Sequence, residues 1–422
     1  MTKPLGADMS PRHELLAEIA ARHGTPTFVY FMDEVKQRIE RVRSTFQGLF
    51  RVSYAMKCNP NPMVLTRIKG WVDTLDVSSR GELARGLAAG FDPKLISFTG
   101  PAKQRLCLEQ SVAAGIGEVV VESLREARTL SEIAVSRGVV QPVLVRIAPR
   151  QVPKGFGVNM AGRPCQFGVD EEDLDGVLTE MRSLPGISIE GFHIYSGTQS
   201  LKATAIAENY AIFVELFRRA SETHDITPRK LIFGSGLGVR YHEGDEPVDL
   251  DQVAALTIPV LRALKAEARF ARAELVLETG RYLIGEAGVY LTRVVNRKRS
   301  RGTEIATFDG GMHHHLGACG HLGMVIHRPY RMFKLGAASQ PEQSYDLYGP
   351  LCTTIDVLGR GVKLPGLEVD DVLAIESSGA YGASASPAGF ISHPEACEVL
   401  VESDANGVPT VRGPERASGE SE

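Results

Sequence analysis

The sequence predicts an α/β chain built as a (β/α)8 barrel over residues 37–290, joined to an all-β domain. Three observations lead there. Short apolar runs alternate with amphipathic helical stretches through the first two thirds of the chain. That alternation stops near residue 290, where β-rich runs separated by Gly and Pro take over. And 422 residues are too many for one ordinary core.

The strand-like runs come in order as Val52–Met56, Thr74–Val77, Leu95–Phe98, Glu118–Val121, Val143–Ile147, Ile187–His193, Lys230–Phe233 and Glu274–Leu277. Most follow a helical pattern, such as Pro62–Gly70 or Gly81–Ala89. Roughly eight units in about 250 residues suit a closed barrel better than an open sheet. Beyond them, Val289–Asn296, Glu304–Phe308, Met324–His327, Ser344–Tyr348, Val372–Ile375 and Glu398–Ser403 read as strands of a β-barrel or sandwich. The early run Thr25–Phe31 has no helix of its own, so residues 1–36 are grouped with 291–412. The polar, small-residue stretch Gly413–Glu422 reads as a disordered tail.

Composition narrows the function. A formal net charge of −4 supplies no basic excess for nucleic acid. There is no apolar run of about 18 residues, and Met1–Arg12 lacks an apolar signal core, so no membrane partner and a cytoplasmic location are expected. The six cysteines are scattered and read as reduced thiols.

Chemistry-bearing residues fall where barrel strands end. Lys57 follows an apolar run and precedes the turn Cys58–Asn61; at a barrel mouth, desolvation frees a lysine amine to form an imine, although a solvated surface lysine fits the same pattern. Gly234-Ser235-Gly236-Leu237-Gly238 follows Leu231–Phe233 and lets backbone amides approach a phosphate, or makes a plain tight turn. It is not a Rossmann fingerprint, because the third glycine spacing and a downstream acid are missing. Glu278-Thr279-Gly280-Arg281 offers an acid for a ring nitrogen and a cation for an anion, or a surface ion pair. His193–Gln199 mixes aromatic and hydroxyl groups after another strand.

Taken in order, these pieces resemble the fold-type III pyridoxal-5′-phosphate (PLP) decarboxylases, the family of diaminopimelate, ornithine and arginine decarboxylases with an alanine-racemase-like barrel. The resemblance runs from about Thr25 to Val401. It is carried by Tyr54–Asn59, Asp76–Leu83, Gln166–Gly168, the Gly197-Thr198-Gln199 loop, the glycine loop and Glu278–Arg281, then by Gly349–Cys352 with Asp356, and Gly379–Tyr381. It implies that Lys57 holds the cofactor as a Schiff base and that Glu278 keeps its pyridine nitrogen protonated. Gly234, Ser235 and Gly236 would offer amides to the phosphate, helped by Thr198, Arg281 and Tyr381, with Asp76, Tyr195, Thr279 and Gly280 completing the cofactor pocket. Cys352 resembles the family's proton donor, presented in relatives across a dimer interface, so a homodimer with shared active sites is implied.

The departures bear on the substrate. Where relatives place a histidine against the cofactor ring, this chain aligns Tyr195, which stacks but is no cation at neutral pH. The residue after the family cysteine, usually acidic, is Thr353. After Asp309–Met312, where diaminopimelate decarboxylases carry a carboxylate-gripping arginine, stands His313-His314-His315, with no arginine until Arg328. This pattern looks like a subgroup that decarboxylates conjugated amino acids, tethered to an acyl-carrier protein or built into siderophore-type amides. His313–His315, Thr353, Arg281 and Tyr381 would then line the substrate pocket. Adjacent histidines are expected to alternate across a strand and not to share a metal. Diaminopimelate decarboxylase is the alternative within the family. An amino-acid racemase needs a second proton donor on the opposite face of the Cα and fits less well beside a long Cys352-bearing β domain; an inactive regulator would lack the lysine or the cysteine, and both are present.

Overall fold

The computed structural model describes residues 11–322, 327–336 and 341–414. Met324–Ile326 of one expected strand, and all of the expected tail but Gly413 and Pro414, lie outside them. The chain divides into two compact units: residues 36–239 with 247–282, and residues 1–35 with 240–246 and 283–422.

The first unit is a closed barrel of eight parallel strands: Phe50–Ala55, Thr74–Val77, Ile96–Phe98, Glu118–Val121, Gln141–Ala148, Ile187–Ile194, Lys230–Gly234 and Glu274–Thr279. Val119–Val121 pair with Val143–Val145, and this pairing closes the ring. Runs such as Thr74–Val77 and Glu118–Val121 are buried at every position, because helices cover one face and the barrel interior takes the other. Local chemistry starts and stops the covering helices. Ser79, Ser123 and Asp249 each accept the backbone N–H three residues on, and Gly115 ends its helix at φ +65°.

Inward-facing residues form layers. Val120, Leu144, Ile232 and Val276 make an apolar cluster. Two residues before Val120, Glu118 meets Lys230 at 2.8 Å across the barrel. Two residues after Val120, Leu144 and Val276 come Glu122, Arg146 and Glu278, all buried. Charge therefore collects at the strand ends above an apolar layer. That is the face where barrels carry their sites.

The second unit is a β sheet. Thr27–Phe31 does join it, antiparallel to Gly288–Ser300 and parallel to Cys397–Ser403. Gly288–Ser300 continues to Thr303–Phe308, Glu342–Tyr348 and Val357–Pro365 on one side and pairs with Val372–Ile375. The strand Val357–Pro365 and the helix Pro11–His23 were not expected. The helix buries Leu16, Ile19 and Ala20 against Val29, Leu291 and Val399 of its own unit. Part of the sheet's apolar face is thus sealed by a helix too weakly amphipathic to stand out in the sequence.

Candidate active site

Lys57 sits in a single 3-10 turn, Met56–Cys58, directly after the strand Phe50–Ala55. Its Nζ lies 3.3 Å from Asp76 Oδ2 and 3.4 Å from Glu278 Oε1. Both carboxylates are buried, while the lysine side chain keeps about a third of its exposure. Thr99 Oγ donates to Asp76 Oδ1 at 2.6 Å. Burial, and then the Glu278 charge, push the Asp76 carboxyl up to about 7 against the pull of Lys57. Burial would raise Glu278 as well. There the Lys57 ammonium, a hydrogen bond from His193 and the Arg146 charge win, holding the carboxyl down at about 2. Of the two acids around the amine, Glu278 is the firmly ionised one.

His193, fully buried, meets Glu278 Oε2 at 3.0 Å through Nε2. Burial pushes its imidazole below the ordinary range, so it is neutral and Nε2–H donates to the carboxylate. Sequence reasoning noted His193 but assigned it no part in the site. It missed the pair Glu122 and Arg146 altogether, although a charged residue inside an apolar strand run is the signal of a buried pair. Arg146 Nη1 contacts both Glu122 oxygens at 3.0 and 3.1 Å. Phe167 lies against the guanidinium at 4.6 Å, and the Gly168 amide donates to Glu122 at 2.8 Å. The Gln166–Gly168 motif is the cover of this ion pair.

The expected glycine loop lies beside this cluster. Gly234 is the last residue of its strand, level with Glu278. A Cβ there would meet the Tyr195 ring at 2.4 Å, and one at Gly236 (φ +67°) would meet Phe156 at 2.6 Å. The Ser235 amide donates to the Glu278 carbonyl at 2.9 Å. It is therefore spent inside the chain, which corrects the expectation that all three amides face a phosphate. Tyr195 lies with its ring centroid 5.8 Å from Lys57 Nζ. Thr198 pairs with Val158 in a short two-stranded ribbon. Thr279 ends its strand, Gly280 packs on the lysine turn (its Cβ would sit 2.7 Å from Cys58 Sγ), and Arg281 opens a one-turn helix. Burial pushes the Cys58 thiol up to about 12, which leaves it inert beside the lysine.

The remaining expected residues belong to the β unit. Asp356 is buried there and ties two loops together, accepting from Met312 N at 2.7 Å and Leu351 N at 2.9 Å. Cys352 and Thr353 follow on the second loop, with the cysteine exposed. Tyr381 has φ +57°, an uncommon backbone for a non-glycine residue. The three histidines do not alternate along a strand. The His314 and His315 amides both turn back onto the Gly311 carbonyl, at 3.0 and 2.9 Å, so the segment is a turn. His314 bonds the Pro394 carbonyl and the Tyr290 hydroxyl, and His315 bonds the Ser378 hydroxyl and the Ala318 amide. His313 is buried against His314 and His393, and neither ring nitrogen finds a partner among the described residues. Burial brings both His313 and His315 down to about 3, so they are neutral.

A lysine amine held by two buried carboxylates, one of them firmly ionised, beside a glycine-only strand end makes a site that fits pyridoxal phosphate. The chain belongs to the pyridoxal-dependent decarboxylases, whose pyridoxal-binding domain matches residues 32–285. It is a PLP-dependent amino-acid decarboxylase. Among its relatives, the L-glutamyl-(BtrI acyl-carrier protein) decarboxylase of Niallia circulans is 33% identical over 391 residues, 91% of each chain. The 2-((L-alanin-3-ylcarbamoyl)methyl)-2-hydroxybutanedioate decarboxylase of Staphylococcus aureus is 28% identical over 89% of this chain and 94% of its own. The solved diaminopimelate decarboxylase of Helicobacter pylori, complexed with L-lysine, superposes with a TM-score of 0.83 at 26% identity, covering 95% of this chain and 97% of that one. No helix among the described residues is long and apolar enough to cross a membrane.

Proposed function

We propose that this decarboxylase acts on an amino acid whose far end is joined to another group, as a thioester on a carrier protein or as an amide conjugate. The observation that carries the reading is the chemistry of the His313–His315 turn and Thr353. A free diamino-diacid needs a cation for its far carboxylate and an acid for its far ammonium. The turn offers neutral imidazoles, two of them already bonded within the chain. Thr353 offers a neutral hydroxyl, and the next arginine, Arg328, is engaged with the Glu243 carbonyl and Asp245. The unpartnered His313 ring is the group we assign to the substrate's linkage. The two relatives that act on conjugated substrates support the same reading.

The cofactor, when bound, supplies the electron sink for the pair left as CO2 departs. We assign Lys57 to hold it and ionised Glu278, fixed by His193, to face its ring nitrogen. Tyr195 would cover one ring face. The Gly236 amide, the Ser235 side chain, Thr198, Arg281 and Tyr381 would take the phosphate. Cys352 returns a proton to the substrate carbon, from a partner subunit in a homodimer.

The test compares CO2 release from glutamyl thioester and amide conjugates with that from diaminopimelate, ornithine and arginine. A conjugate should exceed the free amino acids by about a hundredfold or more in kcat/KM, since an unpaired buried charge costs several kcal/mol. If diaminopimelate turns over best, the chain is a lysine-pathway enzyme.

A further inference from the structure

We propose that the cavity at the ends of the strands Thr74–Val77 and Ile96–Phe98 receives an anionic group at the far end of the substrate, with Arg80 as its counter-charge. The inference rests on the conjugate reading for the kind of molecule that enters. The cavity measures about 210 Å3 and is lined by Ser78, Ser79, Arg80, Gly100, Lys103 and Cys107, among others. Two of its lining residues follow the lysine's neighbours closely along the chain. Ser78 lies two residues beyond Asp76, which contacts Lys57 Nζ. Gly100 directly follows Thr99, which bonds the other Asp76 oxygen.

Its two cations are not equivalent. Lys103 is spent, with its buried amine 2.7 Å from Glu126 and bonded to the Gly100 carbonyl. Arg80 is exposed and makes no ion pair or hydrogen bond among the described residues. It also stands where helix energetics disfavour it. The helix Arg80–Ala88 begins at Ser79, whose hydroxyl accepts the Glu82 amide, while Glu82 reaches back to the Ser78 amide at 2.6 Å. The start of the helix is already capped, and a cation in its first turn opposes the helix dipole. An unpaired cation that breaks a local preference at a cavity mouth is what a site for an external anion requires. At about 210 Å3 the cavity is smaller than the roughly 300–1,000 Å3 of a site that takes a whole small-molecule ligand. That suits a charged terminus and not a whole substrate.

The shared chemistry is an oxyanion. Its source is either the phosphodiester of a carrier protein's prosthetic arm or the carboxylates of a hydroxybutanedioate conjugate. The test uses the holoenzyme with Arg80→Ala and Arg80→Lys and substrates in matched pairs: glutamyl-S-4′-phosphopantetheine against glutamyl-S-pantetheine, and the butanedioate conjugate against its carboxylate-free analogue. The native enzyme should prefer the charged member of one pair by at least tenfold in kcat/KM, expressed in KM. Arg80→Ala should bring that ratio close to one, and Arg80→Lys should keep most of it. The pair that responds identifies the source. A ratio that Arg80→Ala leaves intact overturns the proposal. If no conjugate is turned over, the conjugate reading fails. The cavity is then judged by equilibrium dialysis of 4′-phosphopantetheine and of citrate: tighter binding by the native protein than by Arg80→Ala upholds the anion site, and equal binding overturns it.

Discussion

At the scale of single residues, the site depends on keeping one carboxylate ionised inside a barrel. Glu278 achieves this because three positive or donating groups surround it while it is buried. Glu278→Gln keeps the shape and removes the charge. It should lower kcat by about a hundredfold or more while the bound-cofactor absorbance is retained; kcat within a few-fold of native would show that Glu278 does not face the ring nitrogen. Borohydride reduction of the holoenzyme should fix the cofactor on the peptide containing Lys57. Labelling at Lys103, which is buried in its own ion pair, would sink that assignment. The lysine was visible in the sequence as a strand-end residue within a motif. Its carboxylate partners were named, but which of the two stays ionised is set by His193 and Arg146, from strands far apart in the chain.

At the scale of elements, strand ends and their covering loops hold the site in place. The pair Glu122–Arg146 joins two adjacent strands of the barrel and is roofed by Phe167 and Gly168. It lends positive charge to Glu278 without touching it. Arg146→Met should destabilise the barrel unit by about 3–5 kcal/mol, because Glu122 is left buried and unpaired. Arg146→Met with Glu122→Gln should recover most of that loss in denaturant unfolding. It should leave a pH profile shifted toward higher pH, since Glu278 has lost a neighbouring cation. Recovery of stability together with an unmoved profile would restrict the pair to a structural role. The glycine loop shows how far local pattern reaches. Its glycines were expected from the need for close approach, and Gly234 and Gly236 do stand where a Cβ would strike a ring. The Ser235 amide, however, went to the neighbouring strand's Glu278 carbonyl, a partner 43 residues away and invisible to local pattern.

Across the whole molecule, acid should weaken the fold through histidines buried in their neutral form. The β unit buries His315, neutral, with its imidazole down at about 3. In the unfolded chain the same group takes a proton below about 6.5. The folded pKa is depressed, so the stabilising contribution is present above about 6.5 and is lost as pH falls toward 3. At pH 5 that is about 2 kcal/mol for His315 alone. His315→Gln should flatten the fall in stability between pH 7 and 5 by about that amount, read from denaturant midpoints at each pH. An unchanged slope would mean that the histidine titrates in the folded protein.

What the sequence determined by itself was the architecture and which chemistry-bearing groups stand at the strand ends. Eight buried strands leave apolar runs that survive as local pattern, and Lys57, Glu278 and the glycine loop all sit at strand ends, where a barrel concentrates chemistry. The helix Pro11–His23 and the strand Val357–Pro365 escaped because their preference is weak and tertiary packing supplies it. The turn at His313–His315 escaped for a related reason. Two amides converge on the Gly311 carbonyl while Asp356, over 40 residues on, holds the Met312 amide, and no local period encodes such a contact. Only the tertiary structure decided which charges meet. Protonation inside a low-dielectric interior depends on distances between strands, and the chain's linear order does not contain them.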